Sequence, residues 1–113
     1  QDFLRGQQVT DANGQVTFTT IYPGWYPGRA THIHLKVRGS NAAGQNYEFT
    51  SQLFFDDAFS EAVFTQPAYV KSGRHTLNTE DGIFMRSGGD VMKLEVVEAG
   101  GIYTSAFDIG MQI

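Results

Sequence analysis

From residue 32 to residue 38 the chain alternates in kind, with Ile33, Leu35 and Val37 set between His32, His34 and Lys36. A period of two belongs to the β-strand, whose successive side chains leave opposite faces of a sheet. The segment therefore predicts a strand with one aliphatic, buried face and one wet face that carries two histidines. Val16, Thr17, Phe18 and Thr19 alternate in the same way. Residues 4–10 and 15–21 read as a hairpin, because Asp11-Ala12-Asn13-Gly14 supplies a turn in which Asn-Gly takes the positive φ. Residues 47–55 predict a further strand. Residues 91–98 and 102–109 predict a second hairpin through Ala99-Gly100-Gly101.

Helical signals are few. Asp56-Asp57 ahead of Ala58 and Ala62 predicts one short helix running to Phe64, with its acidic residues at the favourable N-terminal end. Residues 66–90 mix Pro, Gly, Ser, Asn and charges and read as a long loop, with a brief strand near Ile83-Phe84. Long loops of this kind often shape binding sites. With 113 residues, one domain is expected. The predicted fold class is all-β: an antiparallel β-sandwich with one short helix and long site-forming loops.

Composition removes several functions. The 8 Lys+Arg against 12 Asp+Glu give a net charge of -4, and no basic run offers a stripe for tracking phosphates, so nucleic acid is not an expected partner. No apolar stretch approaches the roughly 18 residues of a membrane span, and no basic-then-apolar leader stands at Gln1, so no membrane partner is expected. The start is abrupt, with strand-like residues at once, which leads us to expect residues ahead of Gln1. The absence of cysteine excludes disulfides, thiolate zinc sites and iron–sulfur clusters. Any metal must then be held by nitrogen and oxygen.

The chemistry gathers around residues 22–34. Residues i and i+2 of a strand point the same way, about 6.6 Å apart along the backbone, so the imidazoles of His32 and His34 can meet one ion. The spacing alone equally suits two solvated histidines. Six residues before His32, in a segment shaped by Pro23, Gly24, Pro27 and Gly28, Tyr26 can offer a phenol oxygen over the same strand end. A free phenol titrates near pH ~10, so a phenolate ligand at neutral pH needs a strong cation beside it. Tyr22 and Trp25 read as an aromatic cluster packed under the loop. His75, in the polar run Gly73-Arg74-His75-Thr76, reads as solvated.

The run Pro23-Gly24-Trp25-Tyr26-Pro27-Gly28-Arg29-Ala30-Thr31-His32-Ile33-His34 resembles the iron-binding segment of the intradiol dioxygenases, the family of catechol and protocatechuate dioxygenases. Phe3-Leu4-Arg5-Gly6, Thr10-Asp11 and Thr50-Ser51-Gln52-Leu53-Phe54-Phe55 extend the likeness over most of the chain. The resemblance implies that residues 1–113 are the catalytic domain of such an enzyme without its N-terminal part. It implies non-haem Fe(III) held by Tyr26, His32 and His34, with a second tyrosine ligand from sequence ahead of Gln1. Arg29 and Gln52 would face the substrate, a catechol-type small molecule cleaved with O2 between its two hydroxyl-bearing carbons to a muconate-type diacid. Tyr26 would be displaced and take a substrate proton. Arg29 would stabilise charge developing on the ring. The Tyr22-Pro23-Gly24-Trp25-Tyr26 form is similar to the compact, often secreted branch of the family, so the resemblance favours a secreted protein over a cytoplasmic one. Assembly as a homo-oligomer stays open.

Three other classes share part of this pattern. A non-catalytic β-sandwich binding module would share the hairpins and the aromatic loop without needing Tyr26, His32 and His34 together. A cupin-type metal site would follow His-x-His with a glutamate, where Arg38 and Gly39 stand instead. A zinc hydrolase would want a carboxylate near its water, and the first acidic residue after the histidines is Glu48, on another strand.

Overall fold

A computed structural model describes residues 4–112. Its centre is an antiparallel pair, β1 (His32–Ser40) and β2 (Asn46–Phe55), in continuous register from His32 opposite Phe54 to Ser40 opposite Asn46. The alternation of β1 is realised in its burial. Leu35 and Val37 are half-covered, whereas His34, Lys36 and Arg38 are exposed. The Asn41 side chain accepts hydrogen bonds from the backbone N–H groups of Ala43 and Gln45, and with Gly44 at positive φ this closes the turn between the strands.

Asp56 ends β2 and caps α1 (Asp57–Val63), its carboxylate accepting from the Phe59 N–H at 3.0 Å. Two turns of 3-10 helix (Asn78–Glu80 and Gly89–Val91) flank a second short helix, α2 (Gly82–Arg86). The chain then returns to the sheet as β3 (Lys93–Leu94), parallel to β2, and ends in the ribbon of β4 (Val97–Ala99) and β5 (Ile102–Thr104). Gly100 and Gly101, both at positive φ, make the two-residue turn of that ribbon.

Two apolar clusters hold the elements together. Tyr22, Trp25, Phe55, Val63 and Phe64 form one, with Tyr22 and Phe55 at 4.6 Å between ring centroids. Ala30, Phe54 and Phe84 form the other, Phe84 meeting Phe54 edge-on at 5.0 Å. Aromatic pairs of these kinds add to simple burial because ring edges and faces carry opposite partial charge.

The structure corrects several expectations. Of the first hairpin only the turn forms: Asp11 accepts from Asn13 and Gln15, and residues 5–20 carry no strand. Val9, Val16, Phe18 and Ile21 are exposed, and a two-stranded ribbon with no layer to bury its apolar face has too little to offset its ordering entropy. Ile83-Phe84 lies in a helix rather than a strand, since Asp81 caps that helix and Phe84 turns into the core. Residues 91–98 divide among a 3-10 turn, β3 and β4, and residues 105–109 carry no strand. The chain is β-rich, but the described residues hold two short α-helices instead of one, and the sheet is not wholly antiparallel. The crossover through α1, the long loop and α2 is long enough to return the chain parallel to β2. No helix among the described residues is long and apolar enough to cross a membrane.

Candidate metal-binding site

The segment between Trp25 and His32 is pinned from both sides. Trp25 is buried, Lys71 sits 4.3 Å above its ring and donates to its carbonyl oxygen, and Gly73 at positive φ allows the loop to close over the indole. A Cβ at Gly73 would lie 3.1 Å from the ring. On the other flank the Gly28 N–H donates to Thr76 Oγ1 at 3.0 Å, and Ala30 bridges to Thr76. Tyr26 pairs with Arg29 across the tight bend and leaves its phenol outward, 52% exposed.

This bend brings Tyr26 beside the first residue of β1, with the Tyr26 and His32 rings edge-on at 6.2 Å between centroids. His34 follows two residues later on the same face, opposite Gln52 in the register. Nδ1 of His32 lies 2.7 Å from the Ala30 carbonyl oxygen. A carbonyl accepts only, so Nδ1 carries the proton and Nε2 keeps the lone pair. Burial first, then the charge of Arg29, lowers the pKa of His32 against the opposing pull of the Ala30 hydrogen bond, which favours the neutral imidazole a metal requires.

Arg29 is held by two partners. Nε donates to Asp81 at 2.8 Å and Nη2 to the Gln52 side-chain oxygen at 2.5 Å, while Nη1 has no partner among the described residues. Asp81 is wholly buried and also accepts from the backbone N–H groups of Ala30, Ile83 and Phe84. Burial pushes its pKa up, but the hydrogen bonds from Arg29, Phe84 and Ala30 outweigh that and hold the carboxyl below its usual range. One carboxylate thus fixes Arg29 and the Ala30 peptide, and the carbonyl of Ala30 in turn orients His32.

The five residues singled out from sequence, Tyr26, Arg29, His32, His34 and Gln52, lie in one neighbourhood linked by these contacts. Asp81 was missed. Its sequence signal was local, an Asp ahead of Gly82-Ile83-Phe84 that reads as a helix cap, and nothing in it pointed to Arg29 fifty-two positions earlier. His75 is corrected: it is buried, 8% exposed, with its ring edge-on to Phe64 at 5.5 Å, because the loop folds back over the aromatic cluster. Among the described residues no three His, Cys, Asp or Glu side chains converge, so a metal here would need the Tyr26 phenol as its third donor. One phenol oxygen and two imidazole nitrogens fit a hard trivalent ion better than a soft one.

No family model matches the chain, and no curated protein does. Solved structures do. An intradiol ring-cleavage dioxygenase from Tetranychus urticae superposes with a TM-score of 0.77 at 36% identity over 90% of this chain. A second crystal structure, of a dioxygenase, gives 0.71 at 38% identity over 83%. The chain spans about half the length of these proteins, 49% and 45%.

Proposed function

The chain belongs to the intradiol ring-cleavage dioxygenases, and from that membership we propose that the protein is a non-haem Fe(III) enzyme that opens catechol-type diols with O2 between the hydroxyl-bearing carbons. The observation that carries the reading is the meeting of Tyr26 and His32, with His34 on the same strand face, beside a guanidinium that keeps one nitrogen uncommitted. Tyr26, His32 and His34 would hold the iron. Ferric iron, when bound, draws electron density from a ligated diol and so makes the ring reactive toward O2. In the whole enzyme the sheets would pack as the expected antiparallel sandwich.

The chain's own residues supply the rest. The exposed Tyr26 oxygen, ionised when it holds iron, would accept a proton from the incoming diol without moving buried structure. His32 is kept neutral and aimed by the Ala30 carbonyl, so no proton must leave before it ligates. Arg29, anchored through Nε and Nη2, would present Nη1 to negative charge that grows on the ring, and its anchoring removes the reorganisation cost at that moment. Gln52 sets the plane of that guanidinium. The products are the two carboxylates of a muconate-type diacid.

The test uses the complete protein purified with iron. A visible absorption band from phenolate-to-iron charge transfer is expected, together with catechol-dependent oxygen uptake. His32→Ala and His34→Ala should each lose iron with an unchanged circular dichroism spectrum. An iron-loaded but colourless protein, or full iron retention in both variants, would overturn the reading.

A further inference from the structure

Behind the bend that carries Tyr26 lies a hollow of about 230 Å³. Trp25, Phe64 and Tyr69 wall it, and Lys71, Arg74 and His75 contribute its polar groups; none of Tyr26, His32 and His34 lines it. An enclosed dry cavity of about 150 Å³ is enough for benzene, so this more open space has the volume for one substituted ring. Its three aromatic walls suit a ring, since stacked and edge-on contacts add to burial.

The charges are unevenly spent. Arg74 is occupied by Glu80, which takes both guanidinium nitrogens at 2.9 and 3.0 Å. Lys71 has no carboxylate within ion-pair distance among the described residues; it rests over Trp25 and donates to that residue's carbonyl oxygen, leaving further ammonium protons. His75 is more than nine-tenths buried, yet neither ring nitrogen bonds to any described residue and neither is sealed off as an unpaired buried atom. The residue lines the hollow, where an occupant would supply the missing partner. Glu61, exposed on α1, is the one carboxylate on the lining, against the two cations.

We infer that this hollow is a second binding site, for a monocyclic aromatic carboxylate, with the ring among Trp25, Phe64 and Tyr69 and the carboxylate taken by Lys71 and His75. It is separate from the proposed iron site. Its occupant would touch Trp25, the residue just before Tyr26.

Benzoate is the probe, titrated into the complete protein, with the emission of Trp25 isolated as the difference between wild type and Trp25→Phe. A saturable change is expected. Lys71→Met, at an exposed position, should weaken it about tenfold by removing a charge-assisted hydrogen bond. His75→Gln should weaken it independently, neutral benzyl alcohol should not saturate over the same range, and His34→Ala should leave the response intact. The inference is overturned by no saturable change, by undiminished binding in Lys71→Met, by equal affinity for benzyl alcohol, or by loss of the response in His34→Ala, which would move the benzoate to the iron site.

Discussion

Tyr22 and Tyr26 stand four positions apart and meet opposite fates. Tyr22 is buried, its hydroxyl 2.6 Å from Ser60 Oγ, and Tyr26 is half exposed beside His32. That Tyr22 would pack and Tyr26 stand beside the His-x-His strand was legible in the sequence, because only Tyr26 is set against that strand by the Pro-Gly bend. Burial above all raises the pKa of Tyr22 to about 12. The sign of the consequence follows from proton counting. Between pH ~10 and ~12 the unfolded chain has released this proton and the folded chain keeps it, so stability falls as pH rises through that window and is unaffected below it. Denaturant titrations should show a loss of about 2–3 kcal/mol from this group across that range, and Tyr22→Phe should flatten most of the slope. An equally steep slope in Tyr22→Phe would assign the effect elsewhere. His75 misled for a related reason: polar neighbours in sequence say nothing about an aromatic cluster that arrives from α1.

Among the elements, β1, β2 and α1 formed within a few residues of the expected bounds, because each carries its own signal in alternation or in a capping aspartate. The loop of residues 66–90 did not reveal its helix α2. Ile83 and Phe84 have strand character, and only the buried Asp81, accepting from their two N–H groups, decides for a helix. That carboxylate ties α2 to the Arg29–His32 segment, so Asp81→Ala should act on both. Removing it leaves Arg29 with Gln52 as its remaining partner and three backbone N–H groups, of Ala30, Ile83 and Phe84, unbonded. A loss of about 3 kcal/mol is expected, the low end for a broken buried pair because Arg29 is partly exposed. Thermal denaturation measures the loss, and the Arg29 Nε–H resonance, shifted by its bond to Asp81, should move to the position of a solvated arginine. An unmoved resonance would deny the contact.

At the scale of the molecule the radius of gyration is 15.7 Å, above the roughly 13 Å of a compact 100-residue domain. The long axis is 51 Å, and along residues 5–21 Val9 is 87% exposed and Phe18 and Ile21 are half exposed. Among the described residues, backbone bonding there is confined to the turn at Asp11 and Gly14. In the 113-residue chain, amides of residues 16–21 should exchange with solvent within minutes, and those paired between β1 and β2 far more slowly. Hydrogen exchange read by mass spectrometry separates the two. Protection of residues 16–21 equal to that of β1 would contradict this arrangement.

What the sequence determined by itself was everything set by near neighbours: the strand faces of residues 32–38, the turns at Asn13-Gly14 and Gly100-Gly101, the cap at Asp56, and the placing of a phenol and two imidazoles at the two ends of one bend. These depend on dihedral preference and periodicity, which a few residues express alone. Tertiary structure alone decided that Asp81 would meet Arg29, that His75 would turn inward against Phe64, and that Lys93 and Leu94 would lie parallel to β2. It also decided that residues 5–21 would turn without pairing. The first three rest on contacts between distant segments and the last on the want of one among the described residues, and the strength of such contacts comes from burial and desolvation that no local pattern encodes.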